Sequence, residues 1–173
     1  MTSNPHTRLP RTIVVLAAGA SVLMAAACGG SSGGKPTAAK DWAAYNAEFL
    51  RERATLQMPP GVTWPKQGLA EPTFQGTANT FEDGVGRGEA DALWYCAWER
   101  RWLADQSGDP TAASQDLVTM RGLAHTPRFT VSTLPGDRHI FTDAWSRAAL
   151  GDPSLIQQDV TVNCAGSGIA KQP

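Results

Sequence analysis

The sequence predicts an all-α protein, a small bundle of four to five helices with one long loop. Three observations carry this. Apolar residues recur every three or four positions in several separate segments. Two "GDP" triplets, at 108–110 and 151–153, each place Asp at a helix N-cap and Pro at the first helical position. The one strand-like alternation between the helices, "RFTVSTLPG" at 128–136, has no partner and reads as an extended linker.

Residues 1–27 have the layout of an export signal. Arg8 and Arg11 precede the apolar run "TIVVLAAGASVLMAAAC", which is shorter than the roughly 20 residues of a membrane span. There is no paired-Arg motif, so the general secretion route is expected. "AAAC" at 25–28 resembles a bacterial lipobox, which implies lipid on Cys28 after the cut. Ala25 stands where that family prefers Leu, and Ala-x-Ala also suits ordinary signal peptidase, which would leave a freely secreted protein. "GGSSGGKP" then makes a flexible tether over 28–39.

The chain has three cysteines. With Cys28 acylated, Cys96 and Cys164 are left to pair in an oxidising compartment. Such a bridge closes a loop of about 70 residues and contributes about 4 kcal/mol in the chain-entropy model.

The folded domain is expected over 40–166, with 167–173 as a disordered tail. Trp42, Tyr45, Phe49 and Leu56 form the stripe of a first helix, with Glu48, Arg51, Glu52 and Arg53 between them, and Pro59–Pro60 ends it. The proline-rich loop to Thr80 is expected to lie over the core, pinned by Trp64 and Phe74. A second helix starts near Thr80–Asp83, with Thr80 as its cap, and runs to about Gln106. Gly84 and Gly88 would let a neighbouring helix approach. "GVGRG" lacks the frame of a phosphate loop. Trp94, Trp98 and Trp102 form one stripe facing other helices, while Cys96 points away toward Cys164. Apolar residues on two faces mark this helix as central.

Asp109–Pro110 opens a third helix with the stripe Ala113, Leu117, Met120 and Ala124, ended by Pro127. Asp137 can cap a fourth, with Ile140, Phe141, Ala144, Trp145, Ala148 and Ala149 inward. The last segment, 153–164, fits helix or strand by period, and its Asp-Pro start favours helix.

Charge narrows the function. The net charge is −1, and removal of residues 1–27 takes it to about −3, so nothing argues for nucleic acid. Neither a Gly-x-Ser-x-Gly elbow nor a Cys-x-x-Cys pair occurs, and no cofactor is expected. His139 and Asp143 lie one turn apart and are the candidate metal ligands, but zinc needs three or four and no third is evident. Glu99 is the catalytic candidate, because a carboxyl beside Trp98 and Trp102 can be held protonated as a general acid. The favoured alternative is a structural Glu99 paired with Arg51, Arg100 or Arg121.

The Ala-rich signal, "ACGGSSGG", and "WYCAWERRWL" with a distant closing Cys resemble the small exported lipoproteins of high-GC actinobacteria. The resemblance implies a lipid anchor and carries over no catalytic residue. The expected function is a non-enzymatic binding or interaction module on the outer face of the cytoplasmic membrane. Its partners are the membrane, through Cys28, and an envelope protein or ligand. The alternative is a small glycan-acting hydrolase using Glu99. About 130 folded residues are too few for a two-lobed transport receptor.

Overall fold

A computed structural model describes residues 40–68, 73–74, 77–78 and 80–165. The signal segment, Cys28, the tether and the C-terminal tail lie outside the described residues, as do the side chain of Phe74 and the stop expected at Gly166. The domain is mostly helical and closed by a disulfide, as expected. The α-helices are α1 (Trp42–Arg53), α2 (Val85–Asp105), α3 (Pro110–Met120), α4 (Arg138–Ala149) and α5 (Ser154–Val162). Thus the last segment is helix. Among the described residues no helix is long and apolar enough to cross a membrane.

Helix α2 is the frame. Helices α1, α3 and α5 all pack on it, as does the turn Arg128–Ser132. Its residues Ala90, Leu93, Trp94, Tyr95, Cys96, Ala97 and Trp102 are all buried. The two-faced apolar pattern is thereby explained: a helix covered on several sides has no polar face to spare.

The α1–α2 crossing is set by Gly86. A Cβ there would lie 2.2 Å from the Tyr45 carbonyl oxygen and 2.9 Å from Glu48 Cβ. The close approach expected at Gly84 and Gly88 is therefore centred between them. Gly84 instead makes the left-handed turn that enters α2, with a φ of +86°. Thr80 is exposed and does not cap the helix. The cap comes from α1 instead. The buried Glu48 carboxylate accepts from the Gly84 N–H, at 3.1 Å through Oε2, and also binds Lys40, which reaches on to Asp83. A carboxylate at this end of a helix is favoured by the helix dipole. Glu48 is thus a buried tie between helices rather than a polar position on the outside of α1.

The long loop is held from beneath. Trp94 and Trp98 both donate their indole N–H to the Gln57 carbonyl, at 2.9 and 3.0 Å. So two members of the tryptophan stripe, besides packing in the core, grip the segment leaving α1. Trp64 packs edge-on against Phe49, with ring centroids 6.1 Å apart. Further along, Thr73–Phe74 and Thr77–Ala78 pair as a minimal antiparallel hairpin.

Asp109 caps α3 by accepting from Ala112 N at 3.0 Å, with Pro110 at the first position. Past Met120 the chain tightens into a 3₁₀ turn over Arg121–His125. The segment expected to be extended is instead coiled. Arg128–Ser132 forms one π-helical turn, and Pro135–Asp137 a 3₁₀ turn. The buried Asp91 of α2 accepts from the Arg128 N–H at 2.8 Å, which supplies the tertiary hold that local alternation does not report. Asp137 makes no side-chain cap bond to α4. On α4 the buried residues are Ala144, Trp145 and Ala148, whereas Ile140 and Ala149, both expected inside, are exposed, Ile140 by 57 %.

The Gly86 geometry gives a paired test. Gly86→Ala forces the helices apart and should cost about 2 kcal/mol, read as a lower melting temperature. At Gly88 a Cβ meets only Ser132 Oγ, at 3.5 Å. Gly88→Ala should be neutral or slightly stabilising, since Ala is the better helix former.

Candidate functional site

Cys96 of α2 and Cys164, just beyond α5, are joined, with their Cα atoms 5.6 Å apart. Glu99 sits one turn along from Cys96 and is 0 % exposed. Its Oε2 lies 3.4 Å from Cys164 Sγ. A disulfide sulfur has no proton to give, so this contact suits a protonated carboxyl, which can donate weakly to sulfur. The carboxyl also meets the Tyr95 hydroxyl and the Asp159 carboxyl.

The expected ion pair is not formed. Arg51 donates to the Ala47 carbonyl, Arg100 to that of Cys164 at 2.6 Å, and Arg121 to that of Trp145. All three candidates reach backbone oxygens rather than Glu99. Burial pushes the Glu99 carboxyl well above the usual range. The neighbouring carboxylate of Asp159 adds to the effect, and the Tyr95 hydroxyl and Arg128 partly oppose it. Tyr95 is itself buried, which raises its hydroxyl pKa, and it accepts from the Trp145 indole N–H at 3.0 Å.

Glu99, Tyr95 and Asp159 border a cleft of about 900 Å³. Its walls are α4, α5 and the coiled segment 128–137, and α2 supplies the floor. Leu134, Ile140 and Val162 stand at the cleft with 69 %, 57 % and 69 % of their surface exposed. This explains Ile140: its helix turns that side chain to an opening rather than to the core.

His139 and Asp143 also line the cleft. His139 Nδ1 lies 2.6 Å from the Gly136 carbonyl oxygen, so one ring nitrogen is engaged with the local backbone. Among the described residues, the close trio of His, Cys, Asp or Glu ligand atoms is Cys96, Glu99 and Cys164, within 4.8 Å of one another. Two of those atoms are spent on the disulfide and offer no thiolate.

Sequence reasoning missed Asp159 as a neighbour of Glu99, because nothing in the spacing relates α5 to α2 except Cys164. It also missed two buried acids. Asp91 is 0 % exposed and Asp116 is 7 % exposed. Burial lifts each to about 6, helped at Asp116 by the Asp105 carboxylate and opposed by Arg101.

Comparisons with known proteins give no match: no protein-family model, no curated protein and no solved structure aligns with this chain.

The raised acids fix the pH dependence of stability. Folded Asp91, Asp116 and Glu99 hold protons that the unfolded chain has already released above about pH 4–4.5. The folded state thus binds more protons, and stability falls as pH rises through 6 and beyond. Asp83 and Asp152, whose carboxyls are held low, act with the opposite sign but only below about pH 4. The urea midpoint should therefore be higher at pH 5 than at pH 8. Glu99→Gln, neutral at every pH, should flatten that slope. A midpoint that climbs from pH 5 to 8 would contradict this.

Proposed function

We propose that this chain is a membrane-tethered binding module of the cell envelope, exported and anchored through lipid on Cys28, with the cleft between α4, α5 and segment 128–137 as its binding site. The cleft itself carries the reading. It has the size of small-ligand sites, roughly 300–1,000 Å³, and combines exposed apolar side chains with convergent polar groups. A rim of Leu134, Ile140 and Val162 offers apolar area to a ligand or partner. The anchor rests on the lipobox resemblance and the Gly/Ser tether that follows it.

One observation favours a second reading, a hydrolase. Glu99 and Asp159 both border the cleft, and a glycan-cleaving enzyme needs two carboxyls there, although these two touch each other whereas such enzymes hold theirs about 5 Å or more apart. Accessibility weighs against it. A general acid must come within about 3 Å of the atom it protonates, and Glu99 has no exposed surface.

Purified protein incubated with peptidoglycan should release no reducing ends. Release that Glu99→Gln abolishes would overturn the binding reading in favour of the enzyme. The tether is checked by intact mass from a lipidating host. The expected result is a diacyl or triacyl increment on Cys28, and a bare Cys28 would contradict it.

A further inference from the structure

The cleft leaves its apolar rim uncovered. Leu134, Ile140 and Val162 stand exposed around it, brought there by segment 128–137, α4 and α5 respectively. An apolar rim gathered from three elements and left to water marks a place where something docks. The polar groups at its surface are acidic. Asp137 and Asp143 border the cleft, are exposed, and form no ion pair among the described residues. Of the two arginines there, Arg147 pairs with Asp152 at 3.4 Å and Arg128 faces the buried acids of α2.

The chain's own C-terminal segment starts at this rim. Val162 and Asn163 border the cleft, and Cys164 is fixed to α2. Beyond Ala165 the sequence continues as "GSGIAKQP", Gly166–Pro173, which lies outside the described residues. Its composition complements the cleft. Ile169 is its one large apolar residue, and Lys171 its one basic residue. Gly166 and Gly168 permit the reversal that a path back over α5 requires. The reach suffices, because a cleft of about 900 Å³ is only about 10 Å across and the five residues 165–169 span up to about 17 Å when extended.

We propose that Gly166–Pro173 docks in the cleft as a built-in occupant, with Ile169 on Leu134 and Ile140 and Lys171 beside Asp137 and Asp143. The proposal rests on the reading of the cleft as the binding site and adds its regulation: an incoming ligand must displace the tail. Tethering favours the tail over a free peptide of the same sequence, since a short linker holds it at an effective concentration of about millimolar. A contact that weak still yields to a good ligand. Charge disfavours the other occupants. A second copy pairing symmetrically through this face would set Asp137 and Asp143 of one chain against those of the other. An anionic membrane surface meets the same repulsion.

The test compares the mature protein with a form ending at Ala165, by methyl NMR and by titration with hexanol as an apolar probe. In the native protein the Ile169 methyls should show NOEs to Leu134 or Ile140. Deletion should shift the Leu134 and Ile140 methyls while those of the buried Leu117 and Leu123 stay in place, which shows the fold intact. Ile169→Asp should reproduce the shifts of the deletion. Hexanol should bind the shortened form at least threefold more tightly. Unmoved Leu134 and Ile140 methyls, or equal hexanol affinity in the two forms, would overturn the proposal while the cleft remains a ligand site. Shifts that depend on protein concentration would assign the cleft to a second copy and overturn it too. NOEs from Ile169 with no hexanol binding by either form would uphold the tail contact and remove the reading of the cleft as a ligand site.

Discussion

The bond between Cys96 and Cys164 holds in place one wall of the cleft. Helix α5 has nine residues and buries Ile156 alone along its length. A helix so short has little stability of its own. The disulfide fastens its end to the middle of α2, and Arg100 of α2 donates to the Cys164 carbonyl beside it. That fastening brings Asp159 to Glu99, and Leu155 and Val162 to the cleft facing α4. It also seals Glu99 from water. Position of the wall, burial of the acid and shape of the cleft thus depend on one covalent tie.

The remaining architecture keeps α2 fixed for that tie. Gly86 allows α1 to touch α2 backbone to backbone, and Glu48 then reaches the N-terminus of α2. Trp94 and Trp98 hold the chain leaving α1. Asp91 holds the π-helical turn that leads into the segment walling the cleft. Four buried or nearly buried acids, Glu48, Asp91, Glu99 and Asp116, are built into so small a domain. Glu48 has a cation and a backbone donor, and Asp91 has a backbone donor. Glu99 has neither, and its position beside a ligand-sized opening sets it apart.

Much of the fold was legible because it is written in local signals. Asp109–Pro110 caps α3 as its triplet indicates, whereas at the second triplet Pro153 holds the cap position and α5 starts at Ser154, with Asp152 accepting from Ser154 N at 2.9 Å. Two apolar faces marked α2 as central, and cysteine counting paired Cys96 with Cys164. What was not legible is tertiary. The crossing glycine is Gly86 rather than its neighbours, because only the path of α1 selects among three glycines. The segment at 128–136 coils because Asp91 binds it from another helix, which overrides its alternation. Three arginines near Glu99 in sequence or by helix count were reasonable partners, yet each finds a carbonyl first. Asp159 was invisible for the same reason: its approach to Glu99 exists only once the disulfide has placed α5.

The site turns on Glu99 being held neutral beneath the cleft. The most direct measurement is the side-chain carboxyl carbon shift of Glu99, followed by NMR from pH 4 to 8 and assigned by Glu99→Gln. The Glu99 resonance should titrate well above the exposed glutamates, which titrate near 4.5. A Glu99 resonance that titrates with the exposed ones would mean the carboxyl is solvated, and the sealed floor on which the site is built would be contradicted.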